Sequence, residues 1–484
     1  MKRYPLIAAG FALFGLALVV GPNILTTPRA EESAEAANND AAFYSAGMKA
    51  GFMCSGVFIA GRAPEDILRE ELGVDDPLLK KTGDPIVDYE AKSVTCEVGK
   101  GRPPRLAVYR DGYGCTLLPR GSSLADTASL PQTDIPMAQG DPATIAWPDG
   151  DLLTDQPIPA EVNRAKLDAI VEAAFRSAPD GEKKTDFKTL GVVVVYKDQI
   201  IAERYAPGWG VHTQYRSWSS AKSITNALVG IVVGQGKLNV SDPAPIAHWQ
   251  GPHAGPRDPR TDITIENLLH MSSGLKSPGA FTTHGYWGGV DTARRAASYG
   301  LAHPPGRRWK YSNYDTLLLV RSVRHALGDD ADAYARFPRV ALLNKIGMRD
   351  TVPEIDPFGN FILSSQVYTT PRDLARLGLL YLHDGVWQGE RILPEGWVDY
   401  TATPAPAKKV RDKTRGYGAQ FWLMNNFPGL PADTFTTSGS RGQLSTIVPS
   451  RDLVVARMGL DPRVMSGWHQ EDFVADILGA IDEL

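Results

Sequence analysis

Two hairpin patterns, one near the middle of the chain and one near its end, constrain the fold most strongly. Each joins two apolar stretches of strand length by a short polar turn, and each has a helical segment next to it in the sequence. The segments are a helix at 162–177, strands at 190–196 and 199–205, strands at 444–448 and 453–458, and a helix at 470–484. The stretch between the two pairs is mostly helix and loop. The pattern therefore predicts an antiparallel sheet that both ends of the domain complete around a helical insert.

The first 25 residues have the features of an export segment. Lys2 and Arg3 precede an uncharged apolar run at 6–21, which is slightly short for a membrane span. No good small-x-small cleavage site follows, so a cleaved signal peptide and a retained transmembrane anchor both stay open. In either case the rest of the chain faces outward, in the periplasm or on the outer face of the cytoplasmic membrane. Residues 26–42 are predicted to be a polar linker.

Charge and cysteine content exclude several kinds of partner. The chain has 51 Lys and Arg against 55 Asp and Glu, without the basic excess of a nucleic-acid binder. Its three cysteines lack the spacing of metal ligands, so no metal site is expected. In an exported protein they permit one disulfide among three pairings, of which we favour Cys54–Cys115. Three reduced, buried thiols are the alternative.

The remaining sequence divides into three parts. Residues 43–120 form a predicted accessory β-rich region, because alternating segments occur at 93–98 and 105–110; a packed helix followed by a strand is predicted at 41–61. Residues 121–160 are rich in Pro, Asp, Gly, Ser and Thr, which predicts a loop or linker. Residues 161–484 then form the large domain that contains both hairpins.

A Ser-x-x-Lys pattern occurs where a helix is expected to begin. Ser219 and Lys222 are one helical turn apart, so they share a face, and a helix N-terminus favours negative charge on the serine oxygen. A partly desolvated lysine loses basicity and can accept the serine proton. The same spacing recurs at Ser273 and Lys276, but Gly and Pro follow there and no helix sets the distance. We therefore predict Ser219 as the nucleophile, with a helix N-cap as the alternative, and Ser273 as structural.

Several further segments are typical of one family. They are WSSAK at 218–222, ITIENLLHMSSGL at 263–275, PGRRWKYSNY at 305–314 and YTTPRDLARLG at 368–378. In these segments the chain resembles the serine β-lactamase and penicillin-binding-protein superfamily, and most of all its class C-like branch of carboxylesterases, D-aminopeptidases and 6-aminohexanoate-dimer hydrolases. The resemblance implies an α/β (α+β) fold of the β-lactamase/transpeptidase type, with a central antiparallel sheet, flanking helices and an all-helical subdomain.

The resemblance also implies roles for residues around the nucleophile. In that family the tyrosine of a Tyr-x-Asn motif hydrogen-bonds the nucleophile and the lysine and relays the proton, which implies this role for Tyr311. Asn313 would position Lys222 and the substrate. The backbone N–H groups of Ser219 and Ser440 would form the oxyanion hole. No metal or organic cofactor is implied.

The third motif departs from the family's pattern. Where the family has Lys-Thr-Gly, or His in place of Lys, this chain has Thr437, Ser438 and Gly439. The resemblance implies that these three residues bind the substrate and that Gly439 allows its close approach. The missing cation at Thr437 weakens the case for a carboxylate of the penicillin type, although Arg441 could compensate.

Three tryptophans allow two interpretations. Trp287, Trp309 and Trp422 could line an apolar pocket, but tryptophan is also common in protein cores. We expect that these three belong to the core.

The sequence as a whole predicts an exported serine hydrolase that cleaves a small-molecule ester or amide through an acyl-enzyme. One alternative is a D,D-peptidase, penicillin-binding or β-lactamase activity on cell-wall-like substrates. Another is a catalytically silent member that binds cell-wall fragments. The intact set of Ser219, Lys222 and Tyr311 argues against a silent member, because a binding module does not need all three.

Overall fold

The structure is a computed structural model that describes residues 28–73, 76–176, 187–250, 258–278, 282–409, 413–461 and 467–481. It divides into two compact units, Met1–Ala41 and Ala42–Leu484. The predicted export segment at 1–25 lies outside the described residues. Of the helices that the structure describes, none combines the length and the apolar character that a membrane crossing requires.

Helices and strands occur in groups along the described chain, with short 3-10 and π turns between some of them. The α-helices are α1 Pro28–Phe58, α2 Pro64–Ile67, α3 Arg164–Ala173, α4 Ala221–Gly234, α5 Ile265–Leu269, α6 Thr283–Trp287, α7 Thr292–Ala297, α8 Asn313–Ala326, α9 Ala331–Pro338, α10 Pro371–Leu382, α11 Trp397–Ala402 and α12 Gln470–Ile481. The strands are β1 Ile86–Asp88, β2 Ser93–Cys96, β3 Arg105–Arg110, β4 Gly114–Leu117, β5 Thr189–Tyr196, β6 Gln199–Tyr205, β7 Tyr215–Arg216, β8 Val352–Pro353, β9 Val367–Thr369, β10 Val386–Trp387, β11 Glu390–Arg391, β12 Gly416–Tyr417, β13 Trp422–Leu423, β14 Phe435–Gly439, β15 Gln443–Val448 and β16 Leu453–Gly459.

The central sheet has seven strands in the order β12–β13–β14–β15–β16–β5–β6, and neighbouring strands are antiparallel. Val194 of β5 lies opposite Val455 of β16, so the two hairpins pair with each other. The β5–β6 turn places Lys197 and Asp198 at φ 49° and 64°, the two left-handed residues of a tight hairpin. The predicted antiparallel sheet, completed by both ends of the domain, is confirmed.

Helices cover both faces of this sheet. Val192 and Val194 enter an apolar cluster with α3 and α12, whereas Val193 and Val195 enter the larger core that contains α4, α8 and α10. Because successive side chains of a strand alternate between its faces, β5 is buried on both sides. This double burial explains its uninterrupted apolar sequence. Helices α5–α9 form the helical part of the domain between β7 and β8.

Most of the segment 26–42, for which the sequence predicts a polar linker, is helical in the structure. Helix α1 begins at Pro28 and continues to Phe58. The early part of this helix is rich in Ala and Glu, which are strong helix formers. The strand predicted after a helix within 41–61 is wrong, since the same helix occupies that segment up to Phe58.

The accessory region shares the core of the large domain. Strands β1–β4 form a small antiparallel sheet, and β2 and β3 occupy the two segments in which strands were predicted. A disulfide joins Cys54 of α1 to Cys115 of β4, whose Cα atoms are 6.1 Å apart, and Cys96 is buried as a free thiol. The Ser55 hydroxyl and the Cys115 N–H both donate to Glu354 Oε1, at 2.6 and 3.1 Å. Buried hydrogen bonds therefore connect this region to the segment between α9 and α10.

The segment 121–160 is irregular, as the sequence predicts, with 3-10 turns at Leu124–Ser129 and Pro142–Thr144. It is nevertheless held firmly against α10. The Asp151 carboxylate accepts from Arg372 and Arg376 at 3.2 and 2.8 Å. The Arg376 guanidinium also lies 4.8 Å from the centre of the Trp147 ring. These ion pairs are buried and multiply bonded, which is the arrangement in which such pairs hold a segment in place.

Candidate active site

Ser219 lies in a tight turn between a strand and a helix. Strand β7 ends at Arg216, a 3-10 turn spans Trp218–Ser220, and α4 begins at Ala221. The α-helix therefore begins two residues later than the sequence predicts, because the first turn is wound as a 3-10 helix. Trp218 has φ 49°, a left-handed value that is uncommon outside glycine and that bends the chain just before Ser219.

Lys222 is buried in α4 beside this serine. Its Nζ atom lies 3.1 Å from Ser219 Oγ, 2.6 Å from Asn313 Oδ1 and 2.6 Å from the Ser364 carbonyl oxygen. Among the described residues no carboxylate forms an ion pair with it. Burial without a counter-charge lowers the pKa of Lys222 well below its ordinary value. The site thus favours a neutral amine next to the serine hydroxyl.

Tyr311 completes the arrangement around Ser219. The Ser219 side chain lies close to its phenol, and Lys222 Nζ lies 5.0 Å from the centre of its ring. The ring stacks on Trp422 at 5.6 Å and meets Tyr417 edge-on at 6.1 Å, both measured between ring centres. Burial raises the pKa of Tyr311 above its ordinary value, against the opposing effect of the nearby Ser219 hydroxyl. The neutral phenol is therefore the stable form of this side chain.

Two residues that support Lys222, Ser364 and Tyr286, are not predicted from the sequence. The Ser364 carbonyl accepts from Lys222, and the Ser364 hydroxyl lies 2.5 Å from the Tyr286 phenol oxygen. Asn313 Nδ2 donates to Thr282 Oγ1 at 2.5 Å, which orients the amide so that its oxygen faces Lys222. Neither Ser364 nor Tyr286 belongs to a recognisable motif, so only the fold brings them to the site.

Strand β14 brings the third motif against the nucleophile turn, residues 217–220, which is named for the predicted nucleophile Ser219. A Cβ atom at Gly439 would lie 2.1 Å from the Ser217 carbonyl oxygen, so only glycine allows the strand to come this close. Thr437 is fully buried, and its Oγ1 accepts a backbone N–H of β15. Ser438 is partly exposed and Ser440 is exposed. Ser438 and Ser440 are thus accessible at the end of β14, whereas the Thr437 hydroxyl is engaged within the sheet.

Arg441 does not replace the cation that the third motif lacks. Its backbone is left-handed, with φ 66°, and its side chain is buried and donates to the Asp461 carbonyl at 3.0 Å. The cation beside the third motif is Arg415, which donates to Ser438 Oγ at 3.2 Å and lies 3.5 Å from the Glu471 carboxylate. Arg415 is not predicted from the sequence, because it lies more than twenty residues before the motif in a separate loop.

The expectation that the three tryptophans are core residues is correct only for Trp287. That residue is buried and lies 5.3 Å from the Phe52 ring of α1. Trp309 and Trp422 are partly exposed, and their ring centres lie 6.1 Å apart. Trp422 also stacks on Tyr311. They form one aromatic wall of the site because Trp309 precedes Tyr311 by two residues and β13 brings Trp422 alongside.

The second Ser-x-x-Lys pattern is not assembled into a site. Ser273 is buried, and its hydroxyl donates to Asp315 Oδ1 at 3.0 Å. Lys276 is exposed. The prediction that Ser273 has a structural role is consistent with this placement.

A family model described as Beta-lactamase matches residues 169–459. The chain belongs to the β-lactamase family. The matched range runs from within α3 to the end of β16 and includes the segments that carry Ser219, Lys222 and Tyr311. The chain is therefore an enzyme of the serine hydrolase type.

Known relatives agree with this assignment. The 6-aminohexanoate-dimer hydrolase of Paenarthrobacter ureafaciens is 24% identical over 339 residues, which are 64% of this chain and 84% of the relative. A solved structure from Bacillus anthracis, assigned as a 6-aminohexanoate-dimer hydrolase, matches with a TM-score of 0.51 at 20% identity. The matched region covers 72% of this chain and 90% of the chain in that structure. A penicillin-binding protein homologue from Caulobacter crescentus matches with a TM-score of 0.50 at 17% identity, over 68% of this chain and 100% of the homologue's chain. These structures show the β-lactamase/transpeptidase-like fold that the sequence predicts.

Proposed function

We propose that this chain is an exported hydrolase that cleaves an ester or amide through an acyl-enzyme on Ser219. The observation that carries the proposal is the set of three oxygen atoms around Lys222 Nζ. The amine is surrounded by the side chains of Ser219 and Asn313 and by the Ser364 carbonyl. Burial lowers the pKa of this amine. This environment suits a base that works near neutral pH.

The contacts of Lys222 leave one direction for its lone pair. The Ser364 carbonyl oxygen only accepts hydrogen bonds, and Asn313 presents its amide oxygen because its nitrogen donates to Thr282. A neutral amine has two N–H bonds and one lone pair. When the two N–H bonds point to these oxygens, the lone pair faces Ser219 Oγ at 3.1 Å. From that position Lys222 accepts the hydroxyl proton.

Tyr311 supplies the acid in this scheme. The Ser219 oxygen attacks the carbonyl carbon while its proton moves to Lys222, and a tetrahedral intermediate forms. The neutral phenol of Tyr311 protonates the leaving alcohol or amine, and Lys222 returns a proton to Tyr311. Water then cleaves the acyl-enzyme by the reverse set of proton transfers. The raised pKa of Tyr311 supports the acid role, because it keeps the phenol protonated between turnovers.

The oxyanion hole consists, in this proposal, of the backbone N–H groups of Ser219 and Ser440. The closeness of β14 to the nucleophile turn supports it, since a Cβ atom at Gly439 would lie only 2.1 Å from the Ser217 carbonyl oxygen. Donors from two rigid elements are pre-organised for the negative charge of the intermediate.

The third motif supports an ester or short amide as substrate. Position 437 carries no cation, and its threonine is buried. The relative from Paenarthrobacter ureafaciens is, by its name, a hydrolase of a 6-aminohexanoate dimer. One observation favours a second candidate: Arg415 beside Ser438 provides a cation next to the third motif, where a D,D-peptidase would bind a substrate carboxylate.

Covalent labelling with a fluorophosphonate tests the hydrolase proposal directly. We expect one adduct by intact-protein mass on the wild type, no adduct on Ser219→Ala, and an unchanged adduct on Ser273→Ala. The last variant is the matched control, because it removes the serine of the second Ser-x-x-Lys pattern. An unlabelled wild type that is folded by circular dichroism refutes the proposal and favours a silent binding protein.

Substrate panels then separate the two candidate functions. Hydrolysis of nitrophenyl esters and short amides, without stable acylation by penicillin, supports the esterase/amidase assignment. A long-lived penicillin adduct that Arg415→Gln abolishes supports the D,D-peptidase instead.

We also propose that the chain is exported, in the periplasm or on the outer face of the cytoplasmic membrane. The apolar run at 6–21 and the Cys54–Cys115 disulfide support this location, because disulfides persist in oxidising compartments. Fractionation of cells, with thiol alkylation before and after reduction, tests it. Recovery of a fully reduced protein from the cytoplasmic fraction contradicts it.

A further inference from the structure

A groove next to the aromatic wall of the site is lined by basic side chains. It has a volume of about 510 Å³, and its walls come from the segment 303–309, which leads to Tyr311, and from residues 407–409. Five of its lining residues are basic: His303, Arg307, Arg308, Lys408 and Lys409. The lining contains no acidic residue, although the chain as a whole carries a net charge of −4. We call it the basic groove.

The cations of this groove have no carboxylate partner among the residues that the structure describes: no carboxylate of those residues lies within 4.0 Å of its two arginines or its two lysines. Arg308 instead contacts the His303 ring at 3.0 Å, and Lys408 Nζ lies 3.6 Å from the centre of the Trp309 ring. Partial burial lowers the pKa of Lys408 from its ordinary value. An anion that enters the groove therefore meets these cations without competition from a described carboxylate.

The aromatic wall connects the basic groove to the catalytic residues. Lys408 Nζ lies 5.9 Å from the centre of the Trp422 ring, and Trp422 stacks on Tyr311 at 5.6 Å. Trp309 lies 6.1 Å from Trp422. An apolar chain bound at Ser219 can therefore run along these two indole rings and end among the cations. Aromatic walls bind methylene chains by dispersion and by excluding water.

We propose that the basic groove binds an anionic group, a carboxylate or a phosphate, at the end of an apolar chain on the substrate. This inference rests on the proposed function, since it places the scissile ester or amide at Ser219. Guanidinium groups suit both anions because their paired N–H donors match two anionic oxygens. The substrate class is thus an ester or amide that carries a remote negative charge.

Kinetics with matched esters test the groove. Each ester carries a carboxylate, a phosphate or a neutral amide at the end of a short, medium or long methylene spacer. We expect kcat/KM for the best anionic ester to exceed that of its neutral partner about tenfold. Two or three partly exposed ion pairs together contribute a factor of about that size. This preference should depend on spacer length and should fall as salt is raised. The carboxylate and phosphate series show which anion the groove prefers.

Charge reversal on both walls provides the decisive variants. In Arg307→Glu/Arg308→Glu, and separately in Lys408→Glu/Lys409→Glu, we expect the anionic-to-neutral ratio of kcat/KM to fall to about one or below. The ratio is the readout, because a general loss of activity affects both esters alike. Lys237→Glu, an exposed lysine in a different surface groove, is the matched control and should keep the wild-type ratio. A ratio near one in the wild type, or a ratio that survives both double variants, overturns the inference.

Binding to Ser219→Ala distinguishes failure of the groove from failure of the proposed function. Calorimetry with the anionic and neutral amides on this variant needs no turnover. Tighter binding of the anionic amide, lost in Arg307→Glu/Arg308→Glu, supports the groove even if the wild type proves inactive on every ester. Equal binding of both amides overturns the groove even if the enzyme hydrolyses neutral esters well.

Discussion

A methyl group added at Gly439 tests whether the end of β14 lines the active site. In Gly439→Ala the new Cβ would lie 2.1 Å from the Ser217 carbonyl oxygen and 3.0 Å from Gln443 Cβ. The first neighbour is backbone and cannot rotate away, so β14 and the nucleophile turn must separate by about 1 Å to reach a tolerable contact. A displacement of that size between catalytic groups costs about a hundredfold in rate. The cost in stability is about 1–3 kcal/mol, which is typical of an overpacked site.

Two other glycines separate the catalytic effect from the structural one. Gly378→Ala places a Cβ 2.5 Å from Val454 Cγ1, where α10 packs on the sheet, and should destabilise the fold without moving the nucleophile turn. Gly300→Ala meets no atom within 4 Å and should be neutral in both respects. The assays are kcat/KM on a nitrophenyl ester, the rate of fluorophosphonate labelling, and urea unfolding.

The result that refutes this reasoning is a folded Gly439→Ala enzyme with kcat/KM within a few fold of the wild type. In that case β14 does not border the reacting carbonyl, and Ser440 has no place in the oxyanion hole. A loss of activity in Gly378→Ala as large as that in Gly439→Ala would likewise show that the effect comes from general destabilisation.

Three further predictions concern ionisation and the disulfide. The acid limb of the pH–kcat/KM profile should have its midpoint well below the ordinary pKa of a lysine, because the base in the proposed mechanism is neutral Lys222. Lys222→Arg, which stays charged, should lose at least a thousandfold in activity. Burial raises the pKa of Asp315 to about 7 from 3.8, so the folded protein holds this proton more tightly than the unfolded chain. The protonated carboxyl of Asp315 therefore contributes fully to stability below pH 3.8, and this contribution is lost as pH rises through about 7. In urea unfolding, the stability of Asp315→Asn relative to the wild type should rise over that interval. Parallel pH profiles of the two free energies of unfolding would contradict this. Removing the Cys54–Cys115 disulfide by a double Ala substitution should lower the free energy of unfolding by about 4 kcal/mol, from the loop of 61 residues that it closes, and an unchanged denaturation midpoint would show that the bond does not form.

The grouping of Ser219, Lys222, Tyr311 and Asn313 in the candidate site was predictable because its signals are local. Ser219 and Lys222 are one turn apart, so any helix that begins nearby brings them together, whichever residue starts the α-helical hydrogen bonding. Tyr311 and Asn313 are likewise two residues apart at the start of α8, and the motif carries that local geometry with it. The hairpins were predictable for the same reason, since an apolar strand, a two-residue turn and a second strand are sequence neighbours.

The surroundings of that centre could not be predicted, because they depend on where side chains point. Arg441 follows the third motif directly, yet its left-handed backbone turns the guanidinium into the interior. Arg415, from another loop, reaches Ser438 instead. Trp309 and Trp422 are apolar residues of the kind that fill protein cores, but they line the candidate site instead. Such outcomes are decided by contacts between segments that are distant in sequence, for which a single sequence carries no signal.

The packing of the accessory region against the large domain could not be predicted from the sequence either. A change in composition near residue 160 indicates a boundary in the sequence, but the packing does not follow it. Phe52 of α1 lies 5.6 Å from the Trp218 ring, and the Arg216 guanidinium lies 4.3 Å from the Phe52 ring. Arg216 and Trp218 are the residues that lead into Ser219, so α1 packs directly behind the nucleophile turn. Because the left-handed backbone of Trp218 persists only where its surroundings hold it, the accessory region helps to hold the turn that carries Ser219.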